Sequence, residues 1–393
     1  MTPSEVDSYA TTPAAYVHIP FCSAVCPYCD FAVVAGRDEL ASRYVGAVCE
    51  EIRHSQPWLP LQAVYFGGGT PSHVDPSLLA RIVEALASRH GIAGGAEMSL
   101  EANPEDFASE RATLLRDIGF NRVSFGAQSF EPSMLAALGR RHNPDDITSS
   151  VTAAREAGFD NLSLDLIYGT PGEEAWAQSV QSAIALEPDH VSCYALTVER
   201  GTPLGRAVAG GARAPDLDVQ ADDYVQAAQL LGTAGYERYE TSNWSRPGHE
   251  CWYNLTVWAR GEYLAFGNGA HGFRDGVRYR NHRRVDAYID AVERGETPRA
   301  GEEAVSGWAA EVERLFVGLR RKAGVVPGHG GEALLRDPQG KRLVEAGVLA
   351  LVDDRLRVQN PLLGDEVLRA VIGLEHREVR ENAADADIVF IDA

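Results

Sequence analysis

Along the first half of the chain, short β-branched or aromatic runs are each followed by a longer segment whose apolar residues recur at helical spacing. The candidate strands are residues 15–19, 63–66, 98–102, 122–126, 161–167 and 191–196, and the amphipathic stretches between them are 39–54, 77–90, 105–118, 145–157 and 174–186. Gly91, Gly119 and Gly158 stand where a helix C-terminus favours a residue free to turn left-handed. Strand-helix units that all run one way require a parallel sheet. A closed TIM barrel takes eight units. Six are visible here before the rhythm breaks into a Gly/Ala/Pro-rich stretch at 201–215, so the expected fold is α/β, an incomplete (β/α)6 TIM-like barrel. An open doubly wound sheet is the alternative that periodicity allows.

The remaining residues predict two attachments to a barrel of residues 1–210. Residues 211–300 hold a helix at 218–232 and an aromatic-rich segment at 236–279 with Trp244, Trp252 and Trp258, expected to cover the barrel. Residues 301–393 read as a mainly helical C-terminal domain with a helix at 303–319 and a small β-ribbon, 347–352 and 355–359, turning at Asp353 and Asp354. That profile is winged-helix-like. A hydrophobic share of 45% with 23% charged residues excludes disorder as a description of the whole chain. A net charge of −20 argues against nucleic acid as the main partner. No apolar stretch approaches the roughly 18 residues that span a bilayer, and residues 1–15 lack the basic and apolar regions of a signal peptide, so a soluble, cytoplasmic protein is expected.

Three of the six cysteines crowd into Cys22-Ser-Ala-Val-Cys26-Pro-Tyr-Cys29, directly after the first candidate strand. In a cytosolic chain such clustering favours metal over disulfides. Three thiolates on one loop can hold three corners of a 4Fe-4S cube and leave the fourth iron open to a ligand. Zinc is the competing reading. It usually takes four ligands in two separated pairs, and no second pair follows, so His18 would have to complete the set. Cys49 on a helix and Cys193 inside a strand are most simply buried small residues.

The spacing within Tyr16-Val-His-Ile-Pro-Phe-Cys22-Ser-Ala-Val-Cys26-Pro-Tyr-Cys29-Asp-Phe31 resembles the radical S-adenosylmethionine (SAM) enzymes. More narrowly, the chain resembles the oxygen-independent coproporphyrinogen III oxidases of porphyrin biosynthesis and their haem-chaperone relatives. The likeness continues through Phe66-Gly-Gly-Gly-Thr-Pro-Ser72, Glu101-Ala-Asn-Pro104, Gly126-Ala-Gln-Ser-Phe130, Gly139-Arg-Arg-His142 and Asp165-Leu-Ile-Tyr-Gly169. It then runs through Glu199-Arg-Gly-Thr202, Tyr239-Glu-Thr-Ser-Asn243 and Phe266-Gly-Asn-Gly-Ala-His271 into the tail.

The resemblance implies that SAM binds the open iron through its amino and carboxylate groups. One electron from the reduced cluster then splits the sulfonium bond into methionine and a 5'-deoxyadenosyl radical. It also implies that Tyr16, Tyr28, Gln128, Arg140 and Asp165 contact SAM. Gly67, Gly68, Gly69 and Thr70 end the second strand, where glycines let backbone amides approach the carboxylate and methionyl portion, and Glu101 can accept from the amino group. A nucleotide P-loop is the other reading of the glycine run, but no Gly-Lys-Ser/Thr follows.

Two departures bear on the subfamily. Phe31 stands where the oxidases carry a fourth cysteine, and Asp30-Phe31 is the pattern of the haem-chaperone branch, which transfers haem to apo-proteins. That branch's His-Asn-x-x-Tyr-Trp motif is half present: Asn254 and Trp258 remain, but Tyr253 replaces the histidine and Val257 the tyrosine. The histidine's haem ligation therefore does not carry over. Tyr253 or Cys251 could substitute, since a tyrosinate or thiolate can ligate haem iron, with a plain aromatic core segment as the competing reading. His271 and His282 are further candidate ligands, although a lone histidine is more often a hydrogen-bonding residue. The expected function is a SAM- and 4Fe-4S-binding haem chaperone with a recipient haem protein and an electron donor as partners. The alternatives are coproporphyrinogen III dehydrogenation and a radical SAM enzyme with another substrate. The oligomeric state, a homodimer included, is left open.

Overall fold

A computed structural model describes residues 7–172 and 175–385, with side chains described as far as Leu374. Glu174, at the start of one expected helix, and the ends of the 1–210 and 301–393 segments lie outside the described residues. Six parallel strands follow one another in chain order: β1 Ala14–Ile19, β2 Leu61–Gly68, β3 Ile92–Ala102, β4 Arg122–Gln128, β5 Asn161–Tyr168 and β6 His190–Ala195. Nearly continuous burial along β1 and β5 is what a parallel sheet covered on both faces requires. Between these strands lie α1 Ala41–His54, α2 Pro76–Arg89, α3 Ser109–Ile118, α4 Pro132–Ala137, α5 Pro144–Glu156 and α6 Trp176–Ala185.

Local chemistry sets the helix ends. Asn143 accepts from the amides of Asp145 and Asp146, and Asp146 reaches back to the Asn143 amide, closing a capping box ahead of α5. Gly119 ends α3 at φ 115°, which a side chain would resist. The helix expected from residue 105 starts instead at Ser109, because Pro104–Asp106 forms a separate 3-10 turn.

The barrel stays open because other strands occupy both of its edges. Beyond β6 come β7 Glu237–Arg238 and β8 Asn243–Ser245, with β8 antiparallel to β6. Beside β1 lies β9 Tyr263–Phe266, parallel to it, followed by an antiparallel ribbon of β10 His271–Arg274, β11 Val277–Asn281 and β12 Arg299–Ala304. The aromatic-rich segment thus lengthens the sheet at both edges. One buried apolar cluster includes Ala15, Phe66, Tyr224, Trp244 and Tyr288, so that segment shares the barrel's core. Its helix α7, Trp252–Trp258, packs against β1, β2 and the short turn Tyr9–Thr11 that precedes β1, at the N-terminal end of the strands.

A second apolar cluster, from Val312 to Leu374, belongs to helices Gly307–Gly318, Gly328–Arg336 and Gly364–Asp385 and the ribbon Leu349–Val352 with Arg355–Val358. The helix expected from residue 303 begins at Gly307, since Glu303 and Ala304 complete β12. Asp7 ties this unit to the N-terminal region through both Nη atoms of the buried Arg355, at 2.7 and 2.9 Å.

Candidate functional site

A cavity of about 540 Å³ opens at the C-terminal ends of the barrel strands. The β1-to-α1 loop brings Cys22, Cys26, Tyr28 and Cys29 to its mouth, β2 ends there at Gly68, Gly69 and Thr70, and β3 contributes Glu101. Gln128 ends β4, and Arg140 arrives from the segment after α4. Asp165 sits within β5 and lines the cavity. All the described cysteines are free.

The thiols have dedicated donors. Thr70 Oγ1 lies 3.7 Å from Cys22 Sγ and accepts from Asn103 Nδ2 at 3.1 Å. Asn103 Oδ1 accepts from Arg140 Nη2 at 2.5 Å, and Arg140 Nη1 lies 3.4 Å from Cys26 Sγ. A continuous arc therefore runs from Cys22 through Thr70, Asn103 and Arg140 to Cys26. Burial raises the Cys22 thiol to about 11 and raises Cys29 as well, so both favour the neutral form until a cation compensates them. Among the described residues, no three His, Cys, Asp or Glu groups gather tightly enough for a single metal ion. Three thiols spread around one mouth, with donors on two of the sulfurs, fit a bulkier iron-sulfur cube better than zinc. Asn103 was not singled out from the sequence, although it sits inside the Glu101-Ala-Asn-Pro104 run.

The glycine run has a different role from the expected one. Gly68 donates its amide to Glu101 Oε2 at 3.1 Å, Gly69 to the Ile19 carbonyl at 2.8 Å and Thr70 to the Phe21 carbonyl at 2.9 Å. These amides are already committed to protein acceptors and do not offer themselves to a ligand carboxylate. The glycines serve close packing instead. A Cβ on Gly68 would stand 2.3 Å from the His18 ring, and one on Gly69 2.7 Å from the Pro20 carbonyl carbon.

Glu101 also accepts from Tyr65 Oη at 3.0 Å, and burial with Asp165 nearby raises its carboxyl to about 7. Asp165 accepts from Ser124 Oγ at 3.0 Å and is likewise raised, chiefly by burial. Gln128 takes φ 65°, a left-handed conformation unusual outside glycine, beside a break in the β4–β5 register. Arg122, Ser192, His190 and Tyr194 also line the cavity, and sequence reading passed over all four. Arg122 and His190 carried a signal, being polar residues at the starts of buried strands.

Tyr16 and most of the proposed haem segment lie elsewhere. The Ala32 carbonyl lies 3.1 Å from His18 Nε2 and can only accept, so that nitrogen donates. Burial lowers His18 to about 4, which keeps the ring neutral and leaves Nδ1 to accept from Tyr16 Oη at 3.1 Å. Tyr16 then stacks on Tyr65 and Tyr253, at 6.3 and 5.8 Å between ring centroids, and is not among the cavity-lining residues. Tyr253 also stacks on Tyr65 at 5.3 Å, and burial drives its phenol well above 10, away from a tyrosinate. Cys251 is buried with Sγ 3.6 Å from Glu97 Oε1. The Trp258 ring lies under Arg320. Only Asn254 of this group reaches the cavity. The aromatic-core reading is the one this packing matches, and neither Tyr253 nor Cys251 is placed to ligate haem. Cys49 and Cys193 are buried, as expected.

The family model of the Radical SAM superfamily matches residues 16–177. Over 371 residues the chain is 37% identical to the heme chaperone HemW of Mycobacterium tuberculosis, covering 91% of this chain and 94% of that protein. Over 378 residues it is 34% identical to the heme chaperone HemW of Bacillus subtilis, covering 92% and 99%. Among solved structures, coproporphyrinogen III oxidase (HemN) from Escherichia coli, a radical SAM enzyme, superposes with a TM-score of 0.78 at 21% identity, covering 94% of this chain and 92% of that one. That likeness supports the fold. No described helix is long and apolar enough to cross a membrane.

Proposed function

The chain belongs to the heme chaperone HemW family of radical SAM proteins, and on that premise we propose that it binds SAM and a 4Fe-4S cluster and acts as a haem chaperone, delivering haem to recipient haem proteins. The observation that carries this reading is the arc of side chains from Cys22 to Cys26 through Thr70, Asn103 and Arg140. Cys22, Cys26 and Cys29 would hold three irons of the cube, with Arg140 offsetting thiolate charge. SAM is cationic at its sulfonium, and Glu101 and Asp165 supply carboxyls inside the cavity. Glu101, held near 7, would be drawn fully to the carboxylate by a cation beside it. The cluster and SAM together supply one-electron cleavage of a sulfonium bond. The residues of this chain would bind and orient the cation, with Glu101 lining the cavity as its counter-charge.

Anaerobic reconstitution of the cluster, haemin titration, and a coproporphyrinogen III assay with SAM and reductant test the reading. Stoichiometric haem binding without protoporphyrinogen is the expected result. Turnover would place the chain with the oxidases, and neither binding nor turnover would leave a radical SAM protein with another substrate. An electron donor and a recipient haem protein are the partners this function requires.

A further inference from the structure

His271 is exposed on β10, directly across from Arg280 on β11. Arg280 in turn faces Gly301 on β12, where the missing side chain leaves its guanidinium room to lie. Burial and the charges of Arg280, Arg278 and Arg283 all push the His271 imidazole below its usual value, which favours its neutral form. Arg278 is paired with Glu313, but among the described residues Arg280 and Arg283 meet no carboxylate. In a chain of net charge −20 this is a local excess of cations. It adjoins the cluster loop, because Arg283 donates to the Asp30 carbonyl and Gly269 approaches Ala32 so closely that a Cβ would stand 2.7 Å away. Between Asp30 and Ala32, Phe31 is 63% exposed at the rim of the cavity.

We propose that His271, Arg280, Arg283 and Phe31 form the haem-docking site. His271 ligates the iron, the two guanidiniums receive the propionates, and the Phe31 ring lies against the porphyrin. The inference rests on the haem-chaperone reading and gives it an iron ligand in place of the histidine that Tyr253 replaces. A neutral imidazole has the lone pair that iron ligation needs. Unpaired arginines match carboxylates in planar, two-point fashion. Haem brings both a Lewis-acidic metal and two carboxylates, so one ligand satisfies every group in the patch.

The test titrates the full-length, cluster-reconstituted chain with haemin under anaerobic conditions, following the Soret band and the ferric haem EPR signal. His271→Ala is expected to shift the band and abolish the histidine-ligated signal, with added imidazole restoring both, while Tyr253→Phe leaves them unaltered. The Arg280→Ala, Arg283→Ala double variant is expected to weaken haemin binding about ten- to hundred-fold, as the loss of charge-assisted hydrogen bonds does. Its affinity for iron protoporphyrin dimethyl ester, which lacks the free carboxylates, should not change. A His271→Ala spectrum identical to that of the unaltered chain overturns the proposal while the chaperone reading stands, and so does equal weakening toward haemin and its ester. An unaltered chain that takes up no haemin overturns both. A patch that serves an acidic protein instead would show haemin binding indifferent to all three substitutions.

Discussion

Replacing Glu51 by Gln should remove one pH-dependent part of this protein's stability and make the variant the more stable of the two above neutrality. The Glu51 carboxyl lies between α1 and the loop ahead of β10, accepting from Gly267 N at 2.9 Å, Tyr288 Oη at 2.6 Å and Asn281 Nδ2 at 2.7 Å. Part of the side chain reaches solvent, but the carboxyl end is enclosed, and burial outweighs the three donors to raise it from 4.5 to about 7. Between those values the folded chain holds a proton that the unfolded chain has released, so stability falls as pH rises through the window. The full displacement corresponds to roughly 3 kcal/mol, an upper figure for a side chain partly open to water. A glutamine keeps one oxygen for Gly267 and Tyr288 and turns its amide toward Asn281, which costs about 1 kcal/mol for the lost bond. Below the window the variant is therefore slightly the weaker, and above it the stronger by about 2 kcal/mol. His18 and His90, both lowered to about 4 by burial, act in the opposite direction over neighbouring pH values. They are common to both proteins and cancel in the difference. Equilibrium urea unfolding from about pH 5.5 to 8.5 should show most of the crossing, roughly 2 kcal/mol. A difference between the proteins that stays constant with pH, or grows in favour of the unaltered chain, refutes the reasoning.

Replacing Cys22, Cys26 and Cys29 together by Ala should abolish the visible iron-sulfur absorption of the reconstituted protein, and retention of that absorption would disprove the cluster assignment. Gly69→Ala places a methyl 2.7 and 2.8 Å from backbone atoms of Pro20 and Phe21, at the base of the cluster loop. The expected loss is about 1–3 kcal/mol in denaturant unfolding, with a lowered iron content after reconstitution. Glu97→Ala leaves Arg122, which is 2% exposed, without one of its counter-charges and frees the Trp252 amide that Glu97 now accepts at 2.9 Å. Unfolding should become easier by about 3 kcal/mol or more, and Glu97→Gln should recover part of the loss.

The barrel was legible because each strand and helix writes its own period over a few consecutive residues, and the six candidate strands overlap the six observed ones. The cysteine loop was legible for the same reason, since its three thiols fall within eight residues. Glu97, Arg122 and Glu51 were not. Glu97 finds its partners 154 and 155 positions away at Cys251 and Trp252, and Glu51 reaches Gly267, Asn281 and Tyr288 more than 200 positions on. No local pattern encodes such pairings. What a single sequence does display is the anomaly itself, a charged residue at the edge of a strand that ought to be buried, as with Arg122 at the start of β4. The committed amides of Gly68, Gly69 and Thr70 were hidden for a related reason. Glycine in a motif signals close approach, but it does not say whether ligand or protein is approaching.

The cluster loop and the outer ribbon are not independent bodies, because they meet at one oxygen. The Ala32 carbonyl accepts from His18 Nε2 and from Asn268 Nδ2, each at 3.1 Å. Asn268 also donates to the Arg283 carbonyl at 2.9 Å, and its amide donates to Tyr44 Oη at 3.0 Å. Tyr44 Oη in turn donates to the His18 carbonyl at 2.7 Å. Strand β1, the tail of the cysteine loop and the segment that leads to His271 and Arg283 thus close a ring of hydrogen bonds around Asn268, which is fully buried. Inside a protein each of these bonds is expensive to leave unmade, so a displacement of the loop tail either carries the ribbon with it or exposes a buried polar group. Gly267 and Gly269 allow the ring to close: a Cβ on the first would stand 2.5 Å from Tyr44 Oη, and one on the second would strike Ala32. The Gly267-Asn-Gly269 sequence is therefore a hinge pin between the place where the thiols gather and the face where the unpaired arginines stand.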